Sequence, residues 1–372
     1  MAISIFFAGD VVATKGEETA LVSSELEQYI KACDLACLNF EAPITTKNQK
    51  KIPKIGPSIS QDKAMIDRVK NAGFGLVTLA NNHIMDYGVD GLKATIHSLD
   101  EKGIAHIGAG DTIEDIMRAH YIVKDELKVG IISVAEKGFG VALQENEVGY
   151  AWFGHEAFKQ KLRQLLVTCT HTIVVCHGGA EGWDVPLPEF RKLYKSWIDM
   201  GASAVIAHHP HVPQGFEQYG AGVIFYSLGN FMFNKGTGII NPDTICVKLD
   251  IANNLLDYEV IHTKCTEAGI VINEQPYAKA HLEECNKILQ SEVHMKIVNE
   301  ACVKAFHKMY KNYYSAVSNV YRGGIKQIIK TILFRYIKRE KFSNLWLYHN
   351  LQIETHYWIC RRALDLIGNK EL

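Results

Sequence analysis

The chain has 372 residues, 47% of them apolar and 22% charged, with a net charge of −1. This is the balance of a soluble globular protein whose core needs no staples, organised as one large domain with an appendage or as two domains. Nine cysteines, an odd number without a Cys-x-x-Cys pair, give no sign of a disulfide framework and favour a reducing compartment. No apolar run approaches the ~18 residues of a membrane-spanning helix.

In chain order the pattern first alternates strand and helix. Ala2–Ala8 and Leu35–Asn39 read as apolar strands around a helix near Leu21–Ala32. Gln61–Ala72 has helical spacing and stops at Gly73, Gly75–Leu79 is a strand, and Gly88–Lys102 is a helix closed by Gly103. Val129–Ala135, Thr172–Cys176 and Ala204–Ala207 are further strands, separated by helices near Glu156–Val167 and Pro188–Met200. After residue 213 strands follow one another: Gly215–Tyr219, Val223–Ser227, Thr244–Asp250, Leu255–Thr263 and Ile270–Glu274, with hairpin turns at Gly220-Ala221-Gly222 and Asn253-Asn254. An alternating βα half followed by a β meander fits an α/β fold, a two-sheet sandwich flanked by helices.

From Pro276 the chain reads as helices. Residues 279–372 hold 16 Lys and Arg against 8 Asp and Glu, whereas residues 1–278 hold 24 against 33. The expected division is therefore 1–275 for the sandwich and 276–372 for a basic helical C-terminal appendage. Ile325, Ile328, Ile329, Ile332, Leu333, Tyr336 and Ile337 follow helical spacing with Lys and Arg beside them, a basic amphipathic helix across Gly324–Arg339. Such a helix packs on its own domain, meets a partner helix, or lies on an anionic membrane surface.

Residues with metal-binding chemistry recur at the ends of the strand-like runs. Asp10 closes Phe6–Asp10, Glu41 follows Asn39-Phe40, Asn82 and His83 follow Leu79-Ala80-Asn81, His177 closes Ile173–His177, and His209 and His211 follow Ala204–His208. A single such residue is a turn residue or a hydrogen-bonded core histidine. The recurrence at several strand ends is how open α/β sheets build sites. Carboxylate, amide and imidazole together suit one or two divalent ions of the Mn, Zn or Fe type.

The order of these motifs resembles the CapA family of poly-γ-glutamate capsule synthesis proteins, within the calcineurin-like metallophosphatase superfamily. The matching segments are Gly9-Asp10, Asn39-Phe40-Glu41-Ala42-Pro43, Leu79–His83 with Asp86-Tyr87-Gly88, His177-Gly178-Gly179-Ala180-Glu181, His208–Val212, and Tyr226–Phe231. The resemblance implies metal ligands at Asp10, Glu41, Asn82, His177, His209 and His211, with Glu41 bridging, and a non-ligand His83 that protonates the leaving group. One ion would take Glu41, Asn82, His177 and His209; the other would take Asp10, Glu41 and His211. The sequence departs from the pattern at Val12, where a further ligand His is usual, and at Gly178, where an aromatic residue is usual. Family members with an N-terminal membrane anchor also differ, since the chain opens with a strand and no secretion leader is expected.

Several neighbours invite a role. Asp86 either holds the His83 imidazole in its acid form or caps the helix near Gly88. Glu181 either orients a ligand histidine or faces solvent. Asn230 lines the site or forms a strand-end turn, and Asn39, Asn81 and His208 flank the motifs closely enough to support ligands or touch substrate. Lys47, Lys51 and Lys54 either face an anionic substrate or belong to an ordinary loop. No phosphate-binding glycine loop or nucleic-acid module is present, so no nucleic-acid partner is expected.

The expectation is a metal-dependent hydrolase of phosphate monoesters or diesters acting on a phosphorylated or anionic polymer precursor, in synthesis of a poly-γ-glutamate or polysaccharide capsule in bacteria. Two alternatives are a non-hydrolytic scaffold subunit of a polymer synthesis or export complex, and an enzyme cleaving or joining amide bonds of a polyglutamyl chain. The expected location is cytoplasmic, with the basic C-terminal region as a means of peripheral attachment at the inner membrane face.

Overall fold

The computed structural model describes residues 2–13, 20–45, 49–234, 241–253, 255–311, 314 and 340–369. Lys47 and the whole of the stretch Gly324–Arg339 lie outside the described residues. The chain divides into two compact units, Met1–Ile52 with Ser58–Glu292 and Pro53–Pro57 with Val293–Leu372.

The first unit is a sandwich of two mixed sheets. One contains β1 (Ile3–Ala13), β2 (Leu35–Phe40), β3 (Leu76–Thr78) and β4 (Ala105–Ile107), mutually parallel, and its other flank is the antiparallel run β14 (Asp243–Ala252), β15 (Leu255–Thr266) and β16 (Gly269–Ile272). The other is ordered β11 (Phe216–Tyr219), β12 (Gly222–Phe225), β10 (Ala204–His208), β9 (His171–His177), β7 (Leu127–Ala135) and β6 (His120–Lys124). Short strands β5 (Ala109–Gly110) and β8 (Gly149–Tyr150) pair separately, and β13 (Asn230–Asn234) lies parallel to β1. The facing layers share one apolar core: Ile3, Ile5, Phe7, Val247 and Leu249 from one sheet meet Val129, Ile131, Ile173, Val175, Ile206 and Phe225 from the other.

Helices close the outer faces. They are α1 (Ser24–Lys31), α2 (Ala64–Asn71), α3 (Gly88–Glu101), α4 (Ile113–Ile116), α5 (Glu156–Thr168) and α6 (Pro188–Asp199). Their starts follow local chemistry: the Ser23 hydroxyl accepts from Leu26 N, and Pro188 occupies the first turn of α6, where a missing N–H costs nothing.

Past residue 213 the strands do not form one meander. β11 and β12 form the expected hairpin but join the second sheet, β12 running parallel to β10, whereas β14 to β16 belong to the first sheet. β13, β4, β5, β6 and β8 are additions that the pattern did not suggest. They are short or half-exposed, so their alternation is weak.

The change to helix falls at Pro276, where α7 (Pro276–Leu289) begins, but this helix belongs to the first compact unit. Leu282 enters the sandwich core, and Asn286 Oδ1 accepts from Phe216 N at 2.8 Å. The second unit is helical: α8 (Val293–Ala305) runs into a wider π turn at Phe306–Tyr310, followed by α9 (Glu340–Gln352) and α10 (Glu354–Asn369). Val298 and Cys302 are buried, as are Ile359, Cys360 and Ala363, and Arg362 donates to Asn299 Oδ1 at 3.2 Å.

One close approach positions the site. β1 does not end at Asp10; its register shifts between Ala8 and Asp10 and it continues to Ala13. There Asp10 N donates to Gly229 O at 3.0 Å, and a Cβ on Gly9 would lie 2.0 Å from that same oxygen. Gly9 is thus required by contact with backbone that cannot rotate away. Gly9→Ala should lower the urea unfolding free energy by about 1–3 kcal/mol, the usual cost of overpacking; an unchanged midpoint would contradict this account.

Candidate metal centre

The parallel strands of both sheets deliver their carboxyl ends to one place. Register puts Asp10 beside Asn39 and Asn39 beside Thr78 in one sheet, and Ala135 beside His177 and His177 beside His208 in the other. Residues at or just past these positions converge.

His177 is at the centre. Its Nε2 lies 3.0 Å from Asn82 Oδ1, 3.0 Å from His209 Nδ1 and 3.9 Å from Glu41 Oε1. Asp10 Oδ2 accepts from His209 N at 3.2 Å and lies 3.5 Å from His211 Nδ1, while His211 Nε2 is 3.6 Å from Glu41 Oε1. Asp10, Glu41, His177, His208 and His209 are buried; Asn82 and His211 keep partial access. Glu41, His177 and His209 offer ligand atoms within 4.8 Å of one another, and so do Asp10, Glu41 and His211. A further group joins the exposed Glu181 to His209 and His211. The structure brings together the six residues expected to bind metal.

Supporting side chains fix the orientation. Asn81 Oδ1 accepts from the backbone N–H groups of His83 and Ile84, which turns its Nδ2 toward Phe40 O and Asn39 Oδ1. Asn39 in turn donates through Nδ2 to Asp10 Oδ1 at 2.8 Å, with His177 Nδ1 at 3.1 Å. His208 Nδ1 is 3.3 Å from Asp10 Oδ1, and Asn230 Oδ1 is 2.9 Å from His211 Nδ1. His83 Nδ1 meets Asp86 Oδ2 at 2.7 Å, and the same oxygen accepts from Ile59 N. Asp86 therefore holds the imidazole; α3 begins after Tyr87 without a side-chain cap. Lys51 lies over the Tyr87 ring, 6.0 Å from its centroid.

His209 and His211 have φ of +98° and +62°, in the left-handed region that side chains with a Cβ seldom adopt. Strain of this kind costs on the order of 1–3 kcal/mol per residue and collects at functional sites.

Charge follows the burial. Burial alone would raise the Asp10 carboxyl, but the His208 and His211 imidazoles lying against it outweigh burial and hold the group well below the usual carboxylate range. Burial, aided by the neighbouring His209, keeps His177 well below the usual imidazole range. Burial also pushes His209 down to about 4, against the pull of Glu181. His211 goes the other way: burial would lower it, yet Glu41 and Asp10 lift it to about 10. Two imidazoles are thus neutral, as metal ligands must be, beside two buried carboxylates. This donor set fits a borderline divalent ion.

Two observations bear on the departures noted in the sequence. Val12 is fully buried, with no metal-binding atom to offer. At Gly178 a Cβ would stand 2.7 Å from the Phe190 ring, so an aromatic of α6 already fills the space beside the site. Sequence reasoning missed Glu136. It is buried, comes directly after β7, whose last residue Ala135 pairs with His177, and places Oε1 3.7 Å from His209 Nε2. The signal was present, since Ile131–Ala135, apolar but for Ser133, is followed directly by a carboxylate.

An α/β sandwich carrying buried carboxylates, imidazoles and amides at the carboxyl ends of its strands is a candidate metal-binding protein. The particular family is shown by comparison: residues 4–235 match the family described as bacterial capsule synthesis protein PGA_cap, and the chain belongs to it. It is 34% identical over 230 residues to the capsule biosynthesis protein CapA of Bacillus anthracis, covering 59% of this chain and 55% of that one. It is 30% identical over 248 residues to the PGA biosynthesis protein CapA of Bacillus subtilis, covering 63% and 64%. The chain thus spans between about half and two thirds of the length of these relatives. Among solved structures, the NAD nucleotidase of Haemophilus influenzae aligns with a TM-score of 0.41 at 12% identity, over 78% of this chain and 56% of that one. A likeness that distant carries no argument about chemistry.

The amide chain yields a stability prediction. Asn39→Leu should cost about 1–3 kcal/mol in urea unfolding, because it deprives the buried Asp10 carboxylate and the Asn81 amide of a partner. An effect below about 0.5 kcal/mol would show that the amide does not hold these groups.

Proposed function

We propose that this chain is a metal-dependent phosphoesterase-type protein acting in the synthesis of a capsular or surface polymer, poly-γ-glutamate or polysaccharide. The observation that carries the reading is the convergence of Asp10, Glu41, Asn82, His177, His209 and His211, with the His83–Asp86 pair in the same Asn-His segment. The polymer context comes from the relatives, whose names refer to capsule and PGA biosynthesis.

Glu41, Asn82, His177 and His209 would hold one divalent ion of the Mn, Zn or Fe type, and Asp10, Glu41 and His211 a second. A bound ion supplies Lewis acidity toward a phosphoryl oxygen and lowers the pKa of water toward neutrality. Asn39 and His208 keep Asp10 in place, and Asn230 does the same for His211. Asp86 occupies His83 Nδ1 and leaves Nε2 to carry a proton to the departing oxygen.

The second reading is a scaffold or binding subunit of the polymer synthesis system that does no hydrolysis. The buried Val12 favours it, because it leaves the second ion with fewer protein ligands. Metal analysis of the purified chain, with turnover of a chromogenic phosphodiester in Mn²⁺, separates the two. We expect bound metal and measurable turnover, and His83→Ala should keep the metal while losing about 10²-fold or more in rate. Metal without turnover in the parent would favour the scaffold, and a parent that binds no metal would sink the metal reading.

For the C-terminal helical region we propose attachment to an anionic surface or to the synthesis system, on the excess of Lys and Arg there. Co-sedimentation with anionic liposomes at low salt, lost at about 0.5 M salt, is the expected outcome for a surface held by charge. Its absence at low salt would leave the protein partner.

A further inference from the structure

Two carboxylates approach Nε2 of His209: Glu136 Oε1 at 3.7 Å and Glu181 Oε1 at 3.9 Å. They differ in setting. The Glu136 side chain is 3% exposed and the Glu181 side chain 63%. The pull of Glu181 on His209 acts through open solvent and weakens with salt, whereas Glu136 holds a fixed, buried place beside the ring. Glu136 is also anchored: its N–H donates to His177 O at 2.9 Å, and its Oε1 accepts a long hydrogen bond of 3.4 Å from Gly179 N.

We propose that Glu136 is a positioning residue, which fixes the proton of His209 on Nε2 and so turns the bare Nδ1 toward the cluster. The inference rests on the metal-centre reading and adds to it the residue that sets ligand orientation from behind.

Proton bookkeeping through the cluster points the same way. Asn81 fixes Asn39 so that its Nδ2, a donor, faces His177 Nδ1. That nitrogen must then accept, which puts the His177 proton on Nε2. From there it faces two acceptors at 3.0 Å, Asn82 Oδ1 and His209 Nδ1. With Nδ1 of His209 accepting, the one proton of this neutral ring sits on Nε2, on the side of Glu136. Every donor in the chain Asn81, Asn39, His177, His209 points the same way, and the chain terminates on a buried carboxylate. The opposite tautomer would set the Nε2 lone pair against the Glu136 carboxyl oxygen and bring two N–H groups together between His177 and His209. A divalent ion held by His177 and His209 would replace the proton between these rings, and His209 would already present a bare nitrogen on that side. A carboxylate behind a ligand histidine raises its basicity and fixes the ring.

The test begins on metal-free protein. Imidazole ¹⁵N spectra, with His209 assigned by substitution, should show its proton on Nε2; a proton on Nδ1 overturns the proposal whatever the variants do. Glu136→Met removes the acceptor at nearly constant length and should weaken Zn²⁺ affinity by about 10–100-fold, the usual effect of losing such a partner. Glu136→Asp should recover part of the loss. Glu181→Gln should stay within about threefold of the parent. Parent-like Zn²⁺ affinity in folded Glu136→Met, or a larger loss in Glu181→Gln than in Glu136→Met, overturns the proposal. Should Glu136→Met fail to fold, the parent spectrum still decides. A parent that takes up no Zn²⁺ would defeat the metal reading, and the tautomer would still be read.

Discussion

Two buried carboxylates govern this structure. Asp10 and Glu41 are fully excluded from solvent at the place where both sheets end. An isolated ionised carboxylate in such a place would be prohibitive, so charge or hydrogen bonds must answer it. Asp10 is answered by the Asn39 amide and by two imidazoles, His208 at 3.3 Å and His211 at 3.5 Å. Glu41 faces His177 and His211. The remaining features follow from meeting that demand: the bulge that re-aims Asp10, the glycine that lets β13 come close, the Asn39–Asn81 amide chain and the strained His209-Pro210-His211 backbone. A divalent cation would complete the compensation.

The same geometry explains what was legible in advance. Periodicity located β1, β2, β7, β9 and β10 and the helices between them, because strands buried on both faces read as unbroken apolar runs. It did not reveal β13, whose partner is chosen by the close approach of Gly9 to Gly229, nor the assignment of β11 and β12 to the second sheet. Both are decided by contacts between residues far apart in sequence. Likewise, α7 follows the strand-to-helix change at Pro276 but stays with the sandwich because Leu282 has a place in its core.

For the site, strand-end placement found the residues that converge, and it erred on Asp10, whose strand continues past it through a bulge. The roles of the polar neighbours were not readable. Asp86 as imidazole partner rather than helix cap, Asn81 as a clamp on the His83 backbone, and Glu136 behind His209 all depend on where a side chain turns. Residue spacing does not carry that information. Glu181 illustrates the converse: four residues after His177 it invites a supporting role, yet its exposure weakens any hold it has on the ring.

The crowding at Gly178 has a consequence for how this family can vary. Strand end and helix α6 share one volume beside the centre, and here the helix fills it with Phe190. A relative with a large aromatic residue at the strand-end position must empty the helix position, and one that shrinks both opens a hollow beside the metal ligands. A side chain at position 178 and the Phe190 ring therefore compete for one volume, and enlarging the first calls for shrinking the second.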